Sequence, residues 1–242
     1  MFSSEISREI KYYVYLLSDP ITDEIFYVGK GKGNRIFQHL KDRNQNDKTK
    51  KILDLKSQGL KPKMEILVHG IEDELTVKKI EAAIIDLIGK KSLTNKVSGY
   101  ESSVFGRMTV DQIKAKYSSK KAVIKEKVIL IKLSKTFRYN MDPVELYDNT
   151  RGIWHIAEHR RQSASYAFAI YDGIIQETYK ILEWFEGGST ANFGRIDIER
   201  WKKYQRWEFV GNISDQMRKK YLYKSVDDYY PKNARNPIRY TY

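Results

Sequence analysis

The sequence predicts an α+β protein built in two parts. Residues 1–118 read as a small antiparallel three-stranded sheet flanked by helices, and residues 119–242 as a smaller β-rich module with flanking helices of its own. Three observations carry this expectation. An aromatic-rich run at residues 11–17 is joined through Ser18-Asp19-Pro20 and Asp23-Glu24 to a second run at 25–28, the pattern of a hairpin with a loop of several residues. Residues 74–88 carry the strongest helical periodicity in the chain. Past the polar cluster Ser118-Ser119-Lys120-Lys121 the texture changes, and all four tryptophans and 12 of the 18 tyrosines lie beyond it.

In chain order, the hairpin leads into Gly29, Gly31 and Gly33 interleaved with Lys30 and Lys32, which read as a flexible basic loop. A helical stretch at 34–40 follows, on which Arg35 and His39 are four apart and share a face. Residues 49–58 read as a helix closed by Gly59, and 63–69 as a third strand. On the helix at 74–88, with about 100° per residue, Val77, Ile80, Ile84, Ile85, Leu87 and Ile88 fall in one apolar arc and Glu81 falls inside it. A lone ionised carboxylate on a buried face is costly unless it is paired or binds a metal, so Glu81 needs a partner. A polar stretch at 98–107 precedes a short helix at 109–117. In the second part, 128–133 and 206–210 read as strands, 143–149 as a short helix, 164–182 as a hairpin turning near Asp172-Gly173, and 214–223 as a basic helix. The ending Asn236-Pro237-Ile238-Arg239-Tyr240 is aromatic enough to dock on the domain.

With 44 Lys and Arg against 31 Asp and Glu, the formal charge is +13, the direction expected for a partner that carries phosphates. Both parts share the excess, so both are candidates for contact with a polyanion. The absence of cysteine excludes disulfides and thiolate metal sites and fits a reducing compartment. No apolar run approaches the length of a membrane span, and Met1-Phe2-Ser3-Ser4-Glu5 lacks the layout of a secretory signal. The expectation is a soluble intracellular protein, cytoplasmic and without a membrane partner.

Two short tyrosine words, Tyr13-Val14-Tyr15 and Tyr27-Val28-Gly29, lie on what read as adjacent strands, with Lys30, Arg35 and His39 close behind. Together they bring phenols, cations and an imidazole to one patch, the equipment of a phosphodiester-cutting site. With Glu81 and Leu93-Thr94-Asn95 added, these residues resemble, in order and approximate spacing, the motifs of the GIY-YIG nucleases over about residues 11–108. Tyr13 stands where that family usually has glycine, and Tyr15 is kept. The segment 26–32 and the short interval to Arg35 resemble the branch typified by the LEM-domain and ankyrin nucleases of animals and their bacterial relatives.

The resemblance implies an endonuclease that hydrolyses DNA phosphodiester bonds with one divalent ion per site, Mg²⁺ or Mn²⁺. It implies Tyr15 or Tyr27 as general base with Lys30 nearby to lower the phenol pKa, and Arg35 as the guanidinium that steadies charge on the scissile phosphate. His39 would contact phosphate or assist proton transfer, Glu81 would be the sole carboxylate ligand of the ion, and Asn95 would position its neighbours. Taken singly, each residue has an ordinary reading: strand aromatics, a solvated helix face, a core Glu bonded to a tyrosine or an arginine. The glycines at 29, 31 and 33 look like a phosphate cradle but lack the strand-to-helix context of one, and read instead as residues for tight turning.

In the second part the strands resemble small PUA-like barrels. Arg151, Trp154, Arg160, Arg161 and Arg195 are its candidates for nucleic-acid contact, beside Lys32, Arg43 and Asn95 in the first. The ordinary reading of its tryptophans and tyrosines is a small domain core. A nuclease acting on RNA or on particular DNA structures, and a non-catalytic nucleic-acid-binding protein on the same scaffold, are the alternatives. One site per chain implies nicking by a monomer, with double-strand cuts left to a dimer or to two sequential events.

Overall fold

The computed structural model describes residues 1–42, 44–89, 92–95, 99–193, 205–231 and 236–242. These form two compact units, Met1–Arg107 and Met108–Tyr242.

In the first unit, α1 (Ser4–Ile10) precedes the hairpin β1 (Tyr12–Ser18) and β2 (Ile25–Lys32). Then come α2 (Arg35–Gln38), which runs into a 3-10 turn at His39–Lys41, α3 (Asp47–Ser57), β3 (Lys63–Ile71), α4 (Glu74–Ile88) and α5 (Ser102–Phe105). The sheet order is β2-β1-β3, antiparallel throughout. Because side chains alternate along a strand, β1 serves two layers at once. Tyr13, Tyr15 and Leu17 pack with Phe26, Ile36, Ile52 and Leu55 on one side, and Val14 and Leu16 pack with Val28, Val77 and Ile85 on the other. That double burial is why the aromatic-rich run at 11–17 carries no charged residue after Lys11. Side-chain caps start the two long helices: Asn46 Oδ1 accepts from Thr49 N–H at 2.9 Å, and Asp73 Oδ1 accepts from Thr76 N–H at 2.8 Å, each type of cap being worth about 1 kcal/mol.

Two expectations change here. The Gly/Lys segment is strand, since β2 extends to Lys32. On α4, Leu87 is 69% exposed because it sits at the edge of the apolar arc, while Ala82 is buried beside Val77 and Ile85.

The second unit contains α6 (Val110–Ser118), β4 (Val128–Lys132), α7 (Pro143–Arg151), α8 (Glu158–Ser163), β5 (Tyr166–Tyr171), β6 (Ile174–Glu186), β7 (Trp207–Ile213), α9 (Asp215–Tyr221) and β8 (Ile238–Tyr240). Its sheet has five strands in the order β7-β6-β5-β4-β8 and is mixed, because β4 runs parallel to β5. The aromatic ending is strand β8, antiparallel to β4. This unit is the larger of the two rather than the smaller. Among the described residues its end strands β7 and β8 do not pair, so the sheet is open and not a barrel. The cluster at 118–121, read from sequence as a boundary, is tied into this unit: Lys121 pairs with Asp228 at 3.0 Å and Ala122 N–H bonds Ser225 O at 2.7 Å. Among the described residues no helix is long and apolar enough to cross a membrane.

Candidate active site

The pairing of β1 with β2 sets Tyr15 opposite Gly29, Tyr13 opposite Gly31 and Leu17 opposite Tyr27. A Cβ at Gly29 would lie 2.5 Å from the Tyr15 hydroxyl and 2.8 Å from the Tyr27 ring, and one at Gly31 would lie 2.9 Å from Tyr13. Gly29 and Gly31 therefore seat aromatic rings on a strand, which corrects their reading as turn residues. Only Gly33, at φ +55°, turns the chain. Tyr13 then fastens that turn, donating to Gly33 O at 2.7 Å and accepting from Ile36 N–H at 3.2 Å, so the tyrosine in the place of the usual glycine sets the start of α2. Gly29→Ala is expected to cost about 1–3 kcal/mol through overpacking. Thermal melting should show the loss, and an unchanged melting temperature would mean that the rings can move aside.

Tyr15 is 1% exposed and its hydroxyl is hydrogen-bonded to His39 Nε2. On the other side of the imidazole, Lys48 Nζ stands 2.8 Å from Nδ1, and Asp42 holds that ammonium at 3.2 Å. The Tyr27 ring lies 6.2 Å from that of Tyr15 and 5.3 Å from that of His39, centroid to centroid. Burial pushes both phenols above their ordinary value. At Tyr15 the charge of Tyr27 adds to the rise, at Tyr27 that of Glu81 does, and the nearby Arg35 opposes both. His39 is pulled down to about 4, first by burial and then by Lys48 and Arg35, so the ring is neutral near pH 7.

Lys30 is not placed to lower a phenol pKa as expected. Its Nζ forms an ion pair with Glu81 Oε2 at 2.6 Å, which answers the question posed by a carboxylate on the apolar arc. His39, at 3% exposure, faces inward to Tyr15 and not outward to a phosphate. Arg35 is exposed and donates to Gln38 Oε1 at 2.6 Å, with its charge felt by Tyr13, Tyr15, Tyr27 and His39. Asn95 clamps β2: Oδ1 accepts from Val28 N–H at 3.1 Å and Nδ2 donates to Val28 O at 2.7 Å.

Tyr27, Lys30 and Glu81 open on a cavity of about 490 Å³, together with Asn95, Lys48, Lys78 and Tyr100. Sequence reasoning missed the last three, because a lysine on a helix surface or a tyrosine in a loop has no local mark that aims it at a cavity. Among the described residues no group of three or more His, Cys, Asp or Glu could hold a metal ion. Glu81 alone, 12% exposed at its side chain and lining that cavity, suits an ion that binds through one carboxylate and keeps its waters, as Mg²⁺ does.

Lys32 is exposed, with its ammonium 5.0 Å from the centre of the Tyr12 ring. In the second unit Arg151 is not the surface contact expected. It is 2% exposed, with Nε bonded to Asp148 Oδ1 at 2.8 Å, because burying a guanidinium requires the partners that Asp148, Thr190 and Ala191 supply. Trp154 is half-buried and donates to Thr150 O at 2.8 Å. Arg160 lies over the Tyr240 ring at 4.7 Å and bonds Tyr242 O, while Arg161 stacks on Trp207 at 3.5 Å. Arg43 and Arg195 lie outside the described residues.

No curated protein and no solved structure matches the chain. A family model does: that of the LEM-3-like GIY-YIG domain matches residues 17–119, a stretch that includes Tyr27, Lys30, Arg35, His39, Glu81 and Asn95 and begins just after Tyr15. With β1 supplying Tyr13-Val14-Tyr15 immediately ahead of that match, the first part of this chain is a GIY-YIG domain of the LEM-3-like branch, a nuclease family.

Proposed function

We propose that the first unit is a divalent-metal-dependent endonuclease that cuts DNA phosphodiester bonds, with Tyr27 as the general base and Glu81 as the carboxylate that holds one Mg²⁺ or Mn²⁺ ion. The observation that carries this is the cavity lined by two phenols, Tyr27 and Tyr100, one carboxylate and three lysines. Of Tyr15 and Tyr27 only Tyr27 opens on that cavity, so it is the one positioned to take a proton from an attacking water. Tyr15 is closed off behind it and acts on Tyr27 rather than on water. Arg35, Lys30 and Lys78 offset the charge that builds on the phosphate oxygens, Arg35 with a planar fork of donors suited to them. When bound, the ion would supply charge at the attacked phosphate and the departing oxygen. The net charge of +13 supports a nucleic-acid substrate, and the second unit, with its own excess of basic residues, is proposed to help hold it inside the cell.

The test is incubation of the full chain with supercoiled plasmid, branched DNA, single-stranded DNA and RNA, with Mg²⁺ and with EDTA. Nicking of DNA in Mg²⁺, its loss in EDTA and its return with excess Mg²⁺ are expected. Cutting that persists in EDTA would remove the metal from the proposal, and binding without cutting under every metal would remove the nuclease. Preferential cleavage of RNA would reassign the substrate. A single site per chain makes nicks the expected first product, and linear plasmid appearing without a nicked precursor would indicate a dimer.

A further inference from the structure

Lys48 sits in the first turn of α3 with 9% exposure, and the proposed chemistry gives it no role beyond lining the cavity. Its ammonium bonds His39 Nδ1 at 2.8 Å and Asp42 at 3.2 Å, and stands 5.1 Å from the centre of the Tyr27 ring. An ammonium has three donors and no acceptor. The nitrogen it faces must therefore accept, which leaves the single proton of a neutral imidazole on Nε2, the nitrogen bonded to Tyr15.

We infer that Lys48 is a positioning residue that fixes the tautomer of His39 and so directs a chain of donors at Tyr27: Lys48 Nζ to His39 Nδ1, His39 Nε2–H to the Tyr15 oxygen, and the Tyr15 O–H to the Tyr27 oxygen. This rests on Tyr27 being the base. Each donor in the chain has its direction set by the one before it, since Tyr15, once it accepts from His39, has its own proton left to give. Tyr27 is the phenol packed beside this pair, its ring 6.2 Å from that of Tyr15 and 5.3 Å from that of His39, and the interaction of the two phenols pushes Tyr15 up and Tyr27 down, the direction expected when Tyr15 gives its proton toward Tyr27. The low proton affinity of His39 keeps the ring neutral, so that tautomer and not charge is the variable that Lys48 controls. Asp42 fixes the ammonium from outside, much as an outer carboxylate orients an active-site group.

The experiment is ¹H–¹⁵N NMR of the histidine rings in the full chain, with His39 assigned by its absence in His39→Gln. The wild type should show the Nε2–H form at pH 7. Lys48→Met, which keeps the stem and removes the donors, should shift His39 to the Nδ1–H form or a mixture, and Lys48→Arg should restore Nε2–H. The nicking kcat should fall about 10- to 100-fold in Lys48→Met with KM within about threefold. A wild-type Nδ1–H form overturns the inference even if no variant folds, and so does an unchanged tautomer in a folded Lys48→Met. A raised KM with unchanged kcat overturns it in favour of a direct phosphate contact. Because the tautomer is read without substrate, the inference stands or falls separately from the nuclease reading.

Discussion

Glu81→Gln is expected to lower the nicking rate in Mg²⁺ about a thousandfold while leaving the melting temperature within a few degrees. The substitution removes the negative charge that would hold the ion but keeps the shape and an acceptor for Lys30, 2.6 Å away. An ion that acts as a Lewis acid supplies several kcal/mol to a phosphoryl transition state, and each 1.36 kcal/mol is a factor of about ten. The ion pair with Lys30 is partly exposed on the lysine side, so its loss costs stability only modestly. The measurement is plasmid nicking against Mg²⁺ concentration with a melting curve on the same sample. Activity within tenfold of wild type at saturating Mg²⁺ would sink the assignment of Glu81 as ligand.

Tyr27→Phe and Tyr15→Phe are expected to fail in different ways. Removing the Tyr27 oxygen takes away the proposed base, for a loss of about 10²–10⁴ in kcat, with DNA affinity and melting temperature little changed. Removing the Tyr15 oxygen leaves the buried His39 Nε2 without its partner, which costs about 1–3 kcal/mol of stability. It should slow nicking less than Tyr27→Phe does, because the base itself remains. Single-turnover nicking, DNA binding and thermal melting separate the two. If Tyr15→Phe is as inactive as Tyr27→Phe and just as stable as the wild type, the roles of the two phenols are the reverse of those proposed.

The legible parts of this protein are those set by near neighbours in sequence. The hairpin of β1 and β2, the arc on α4 and the anomaly of Glu81 within it all follow from residues a few positions apart, and the structure bears them out except for Leu87 at the exposed edge of the arc. What was not legible depends on partners across space. The glycines at 29 and 31 look like turn residues until the opposite strand shows the rings they accommodate. Arg151 looks like a surface cation, and only the loop some forty residues later that closes on it, through Thr190 and Ala191, makes it internal. Lys48 is one lysine among several at the start of α3, with no local mark to set it apart. In the second unit the parallel pairing of β4 with β5 and the late return of β8 to β4 join segments far apart in the chain, which periodicity cannot foresee.

The burial of β1 on both faces bears on how firmly the site is aligned. Slippage of β1 by one residue would send Tyr13, Tyr15 and Leu17 into the layer shaped for Val14 and Leu16, with three bulky side chains in space for two smaller ones. The irregularities in its pairing with β3, between Tyr12 and Val14 and again between Val14 and Tyr15, act as further stops against sliding. The phenols are therefore held at their height in the sheet by the mismatch of the two layers, independently of the hydrogen bonds at the site, and alternative alignments of the strand are excluded before any chemistry begins.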